Sequence, residues 1–283
     1  MNGQVVNKGT LWEKNSDWLR DSRKGLWNPE YFELLVKKAW KLDKPVKIAD
    51  FGCGIGYLGS VLLPLLPEGS TYTGLDISSM LLEEARQIFA DGKWETEFIE
   101  QDLTKYVPEE KYDIAICQTL LIHVPYPVTI LEKMVKSVVP GGKVICMEPN
   151  WAFNQIGSYR HGRQEYLDRD WSFKDAFANT LKEDGVDRCI GIKIPAFMHD
   201  LGLKNIDMRI NDKTGVGFEN DLNALIEFYL NKKFLPANNP EQWAESKQYL
   251  KENLVAESYG NDSASPYPTI GVGLGLFISY GEK

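Results

Sequence analysis

Histidine is scarce, with three in 283 residues, so a metal centre built on imidazole has little to draw on. No H-x-x-x-H, paired-cysteine or facial-triad spacing occurs, and no metal is expected. The four cysteines, Cys53, Cys117, Cys146 and Cys189, lack C-x-x-C spacing. Three of them fall in or beside apolar strand-like runs, so they read as reduced core residues rather than disulfides or metal ligands. There is no run of about 18 apolar residues to span a bilayer. The opening Met-Asn-Gly-Gln-Val-Val-Asn-Lys lacks the basic-then-apolar layout of a secretory signal. A cytoplasmic protein with no membrane partner is expected. Positive charge is in deficit, with 32 Lys and Arg against 40 Asp and Glu and a net charge of −8. That balance disfavours a nucleic-acid surface and favours a small-molecule partner.

The chain has, in contrast, a 43% hydrophobic content, enough to bury a full α/β core with insertions. Its organising stretch is Val46 to Gly59, where an apolar run stops at Asp50 and closely spaced glycines follow. Val46, Ile48, Ala49 and Phe51 suit a buried parallel strand. Gly52, Gly54 and Gly56 permit positive φ and let backbone approach a ligand closely. A helix from about Tyr57 to Leu65 is expected next, ended by Pro64 and Pro67.

Further strands are expected at Thr71–Leu75, Thr96–Glu100, Tyr112–Gln118 and Lys143–Met147, the last introduced by Pro140-Gly141-Gly142. Between the second and third lies a helix capped by Ser78, with Met80, Leu81, Leu82, Ala85, Ile88 and Phe89 on its apolar face. Strands alternating with helices at this interval indicate a parallel, doubly wound α/β sheet. Ligands of such sheets lie beyond the carboxyl ends of the strands. Those ends carry Asp50, Asp76, Asp102, Gln118 and Glu148, a set of acids that a polar ligand would account for, since an unpaired buried carboxylate loses several kcal/mol of hydration.

Two cofactor patterns overlap at the glycines. Gly54-Ile-Gly56-Tyr-Leu-Gly59 fits the G-x-G-x-x-G dinucleotide fingerprint, with Asp76 as its ribose acid. Asp50-Phe51-Gly52-Cys53-Gly54-Ile55-Gly56, an acid followed by G-x-G-x-G, resembles the first motif of class I S-adenosylmethionine-dependent methyltransferases of the small-molecule type. Residues 45–150 extend that resemblance. Asp76 matches the acid that holds the ribose hydroxyls, and Ile77 and Met80 the apolar groups flanking adenine. Asp102-Leu103 matches the pair at the adenine edge, and Asp50 with the backbone of Gly52 the place of the methionine end. Tyr112 to Gln118, followed by Leu121-Ile122-His123-Val124-Pro125, resembles the fourth motif. The resemblance implies a Rossmann-like, seven-stranded, mostly parallel sheet. Its sixth strand is expected at Asn205–Ile210 and its antiparallel last strand at Thr269–Tyr280. S-adenosylmethionine is the implied cofactor, bound by Asp50, Gly52, Cys53, Gly54, Gly56, Asp76, Ile77, Met80, Asp102, Leu103, Gln118 and His123. A nucleotide-dependent oxidoreductase and a non-catalytic S-adenosylmethionine-binding protein are the alternatives.

The core is expected at residues 46–149, 191–211 and 266–283. Segment 1–45 is helical around Tyr31, Leu34, Leu35 and Ala39, and rich in tryptophan. Its stretch Leu11 to Trp27 either folds over the cofactor mouth or packs on the surface. Two insertions, 150–190 and 212–265, read as a helical cap, with helices at Leu222–Leu230 and Trp243–Leu254. Peripheral packing or a homodimer contact is their other use.

Methyl transfer from a sulfonium requires alignment and exclusion of water more than covalent catalysis, and a base only when the acceptor is a phenol, alcohol or ammonium. His123 is the candidate base by position, or else a packing and capping residue. Glu148 either accepts the acceptor's proton or caps a loop through backbone N–H groups. Arg160, His161 and Arg163 form a basic cluster that clamps an anionic acceptor or is simply solvated. Trp18 is a further candidate for the acceptor wall. His199 reads as structural.

Overall fold

The computed structural model describes residues 13, 19–20, 26–150, 153, 158–160, 185–211, 214–217, 269–272 and 275–283. The first long element is helix α1, Pro29–Leu34, with Pro29 supplying the fixed φ of a first turn. It continues as a π-helical turn, Leu35–Ala39. The amide of Trp40 bonds Leu35 O at 2.8 Å, closing a wider ring than an α-helix has. Positions five apart diverge on an α-helix but stack on a π-turn. The widening thus brings Leu35 and Trp40 onto one face, and both are fully buried with Val36.

Strand β1, Lys47–Phe51, leads through the glycine turn into α2, Tyr57–Leu62. A 3-10 turn, Leu63–Leu65, completes the helix expected there, because Pro64 cannot continue an α-helical ladder. Then come β2 Thr71–Asp76, α3 Ser79–Ile88, β3 Glu95–Glu100 and β4 Tyr112–Gln118. Helix α4, Pro127–Ser137, runs directly into β5, Val138–Pro149. After β6 (Ser158–Arg160) come α5 (Ile194–Asp200), β7 (Lys204–Ile210), β8 (Thr214–Gly217), β9 (Thr269–Val272) and β10 (Leu276–Glu282).

Seven strands form one sheet in the order β3-β2-β1-β4-β5-β10-β7. Strands β1 to β5 pair parallel, and β10 lies antiparallel between β5 and β7. The strand order reverses between β1 and β4, which sets the ligand-binding crevice at their carboxyl ends. The continuous apolar runs of β1 and β4 divide between two faces by the period of two. Ile48, Ile114 and Ile116 join Trp40, Leu62, Tyr72 and Leu82 on one side. Ala49, Phe51, Ala115 and Cys117 join Ile130, Met134, Val144 and Met198 on the other. Each large side chain enclosed this way contributes about 1.5–3 kcal/mol.

Two expectations are corrected. Strand β5 starts at Val138, before Pro140-Gly141-Gly142. Its pairing with β4 jumps from Tyr112↔Val138 to Ile114↔Lys143, so the prolyl-glycine stretch is an excursion inside the strand. The single last strand expected over Thr269–Tyr280 is two strands. Strand β10 pairs with β5 and β7, whereas β9 pairs with β6 and β8 in a separate antiparallel sheet. The glycine-rich stretch between them offers few side chains to hold one straight strand.

The chain has two compact units. The first comprises residues 1–151, 184–213 and 274–283, and the second residues 152–183 and 214–273. What is described of the second is the three-stranded sheet β6-β9-β8. Both insertions therefore contribute strands to one sheet, and residues 269–272 belong with them rather than with the core. The helices expected at Leu222–Leu230 and Trp243–Leu254 lie outside the described residues.

Candidate active site

The glycine turn is tied to the end of β2. The amides of Gly52 and Cys53 both donate to Leu75 O, at 2.7 and 3.1 Å. Gly54 N donates to Asp76 Oδ2 at 2.9 Å, and Ser78 N to Asp76 Oδ1 at 2.9 Å. Burial raises the Asp76 carboxyl above its usual range, and these amide bonds offset only part of the rise. Gly52 sits at φ +72°, where a Cβ would meet Leu120 Cδ1 at 2.7 Å. Gly54 sits at φ +54°, and a Cβ there would meet nothing within 4 Å. The turn is thus roofed by Leu120 at Gly52 and open at Gly54.

Asp50 is 1% exposed and accepts the Tyr72 hydroxyl at 2.5 Å. Its carboxylate is held against Tyr72 at the end of β1, inside the layer beneath the glycine turn. The cause is the sheet's alternation, which puts Asp50 on the face of Ile48 and Tyr72. Burial first, then Asp50, pushes the Tyr72 phenol well above its usual range. Cys53 is buried, and all four cysteines are free thiols.

Beyond Asp76, Ile77 is 43% and Met80 40% exposed, an apolar pair at the rim. Ser78 caps α3 as expected, accepting Leu81 N at 3.3 Å. Asp102 Oδ1 accepts both Thr104 N at 2.9 Å and Thr104 Oγ1 at 2.6 Å. The Thr104 hydroxyl is the main cause of its lowered pKa. Leu103 is buried beside it. Gln118, at the end of β4, is buried, and its Oε1 accepts Trp27 Nε1 at 3.3 Å. An indole only donates, so it orients the amide with its oxygen toward Trp27.

Glu148 is fully buried. Its Oε1 accepts the amides of Leu120 and Leu121, both at 2.8 Å, and its Oε2 that of Ile122 at 3.2 Å. Of the two uses read from the sequence, the structure has the loop cap. Three backbone donors surround this carboxylate and fix it against the turn that follows β4. Burial raises its pKa to about 7, against the lowering effect of those donors. His123 ends the 3-10 turn Leu121–His123 that Glu148 caps, and is half-buried.

The N-terminal segment reaches this edge of the sheet. Leu19 packs with Ile55 and Leu81, Ser78 Oγ donates to Glu13 at 2.8 Å, and Arg20 pairs with Glu84 at 2.5 Å. Of the acceptor candidates, Trp18, His161 and Arg163 lie outside the described residues, and Arg160 is described only as backbone of β6. Sequence reading missed Leu120, Tyr72 and the particular role of Trp27. Tyr72 could have been found from its alternation with Gly74 on β2. Leu120 carries no signal beyond being apolar after a strand.

A family model described as a methyltransferase domain matches residues 49–144. An uncharacterised protein of Methanocaldococcus jannaschii is 38% identical over 112 residues, 38% of this chain and 30% of its own length. The ubiquinone biosynthesis O-methyltransferase of Salmonella arizonae is 32% identical over 100 residues, 35% of this chain and 40% of its own. The match spans less than half the length of these curated relatives. A Bacillus halodurans structure described as a candidate methyltransferase superposes with a TM-score of 0.55 at 13% identity, covering 89% of this chain and 98% of that one. That likeness shows the fold. Residues 49–144, which carry the glycine turn and strands β2 to β4, thus match a methyltransferase domain.

Proposed function

We propose that the protein transfers a methyl group from S-adenosylmethionine to a small organic acceptor through an oxygen or nitrogen nucleophile. The observation that carries this reading is the glycine turn held to Asp76 by the Gly54 amide, open above Gly54 and flanked by exposed Ile77 and Met80. A carboxylate beside an exposed apolar pair suits a ribose and an adenine, and an open glycine suits close approach of the ligand's chain. Asp102, Leu103 and Gln118 extend the same strand edge, and Cys53, Gly56 and Asp50 support the turn from below. The O-methyltransferase relative favours an oxygen acceptor.

When bound, the cofactor supplies an activated methyl on a positively charged sulfur. The chain's own residues bind, align and keep water out, an orientation effect of several kcal/mol. His123, at the end of the turn that follows β4, takes the proton of a hydroxyl acceptor. Arg160, His161, Arg163 and Trp18 are assigned to the acceptor. The insertions are assigned to capping it, with a homodimer contact as their second use. Among the described residues no helix is long and apolar enough to cross a membrane. Four free thiols fit a reducing compartment, the cytoplasm.

Calorimetric titration with S-adenosylmethionine, S-adenosylhomocysteine and NADH tests the proposal. Micromolar binding of the first two alone is expected. Asp76→Ala should weaken both by about tenfold or more, since a charge-assisted bond is worth about 1.5–3 kcal/mol. Binding of NADH alone would make the protein an oxidoreductase. Tight cofactor binding without turnover on a broad acceptor panel would make it a non-catalytic binding protein.

A further inference from the structure

Glu148 is a fully buried carboxylate at a strand end, and its partners show what it does. It continues the face of Val144 and Cys146 to the end of β5, under the segment that follows β4. That segment turns sharply: Thr119 has φ +52°, and its amide bonds Met147 O at 2.9 Å. Three successive amides, of Leu120, Leu121 and Ile122, then converge on the Glu148 carboxylate. The Cys117 thiol makes a fourth, longer contact at 3.6 Å. Leu121 and Ile122 are buried, while the Leu120 side chain lies over Gly52, so close that a Cβ there would overlap it. A single buried side chain therefore sets where the roof of the glycine turn sits.

We propose that Glu148 is a positioning residue for cofactor binding, acting through the Leu120–Ile122 amides to hold Leu120 over Gly52 at the methionine end of the site. Resting as it does on the proposed function, this inference assigns Glu148 no contact with cofactor or acceptor. Three amides left without their acceptor would be buried and unsatisfied, so the turn would reorganise to find other partners. Burial raises the carboxyl to about 7, consistent with a group kept for its hydrogen bonds despite the loss of hydration. The adenosine end, at Asp76, Ile77 and Asp102, lies at and just beyond the ends of β2 and β3, and among the described residues no side-chain hydrogen bond joins it to Leu120–Ile122.

The two ends give a test. Binding of S-adenosylhomocysteine, which has the amino-acid end, and of 5′-methylthioadenosine, which lacks it, is measured by calorimetry for wild type, Glu148→Ala and Glu148→Gln. Thermal melts check that each variant is folded. Glu148→Ala is expected to weaken S-adenosylhomocysteine about tenfold or more and to leave 5′-methylthioadenosine within about twofold. Glu148→Gln should recover most of the loss, because its amide oxygen still accepts from Leu120 and Leu121. Equal weakening of both ligands would show a merely structural role and overturn the proposal. So would unchanged S-adenosylhomocysteine binding in folded Glu148→Ala, or a Glu148→Gln no better than Glu148→Ala. Failure of the wild type to bind S-adenosylhomocysteine would instead remove the proposed function itself, and this inference with it.

Discussion

Gly52 shows how much one position carries. Its φ of +72° lies in the left-handed region, and the space its missing Cβ would fill belongs to Leu120. A side chain there meets two separate penalties: about 1–2 kcal/mol for the backbone and a steric overlap that forces Leu120 off its seat. Gly52→Ala should therefore lower stability by at least about 2 kcal/mol in urea titration. Adding Leu120→Ala should return the steric part and leave the backbone part. A Gly52→Ala protein as stable as wild type would contradict the geometry. Asp76 and Asp50 show the opposite lesson about acids at strand ends. Both were legible as a set in the sequence, yet Asp76 binds two amides at the rim while Asp50 is sealed under the turn by Tyr72. The two share a face and differ in depth along it, since Asp50 pairs with Gly74 beside Tyr72 while Asp76 stands two residues further, at the end of β2.

Among elements, the N-terminal segment does more than precede the sheet. Trp27 packs on Phe32 with ring centroids 5.1 Å apart and donates to Gln118 across 91 positions of sequence, joining α1 to the end of β4. Trp27→Phe keeps the ring and removes only the donor. It should lower unfolding free energy by about 1 kcal/mol, a lost hydrogen bond to a buried amide oxygen, as chemical denaturation would show. No change would mean that solvent already satisfies Gln118. The last strand is the element where pattern reading stopped short. Thr269 to Tyr280 reads as one apolar stretch, but its two halves belong to different sheets. A strand's partners are set by distant segments, here β5 and β7 for one half and β6 and β8 for the other, and nothing local announces the change.

At the scale of the whole molecule, Glu148 links stability to pH. Its ordinary carboxyl value of 4.5 is raised to about 7 on folding, so between those values the folded protein holds a proton the unfolded chain has lost. The contribution is present in full below about pH 4.5 and is lost as pH rises through about 7. Its size is on the order of 3 kcal/mol. Stability of wild type relative to Glu148→Gln should fall by that order between pH 4.5 and pH 8, measured by urea titration at each pH. A constant difference would mean that Glu148 is not desolvated as its burial requires. Composition and pattern determined a great deal of this protein. The doubly wound sheet follows from apolar runs that alternate with amphipathic helices, and the site's place follows from glycines and acids at successive strand ends. Local forces suffice for these, since strand period, turn chemistry and helix caps act within a few residues. Only the tertiary structure decided that Glu148 caps a turn, that Asp50 faces Tyr72, that Leu120 roofs Gly52 and that both insertions share one sheet. Each of these depends on groups far apart in the chain being packed together, which no local pattern records.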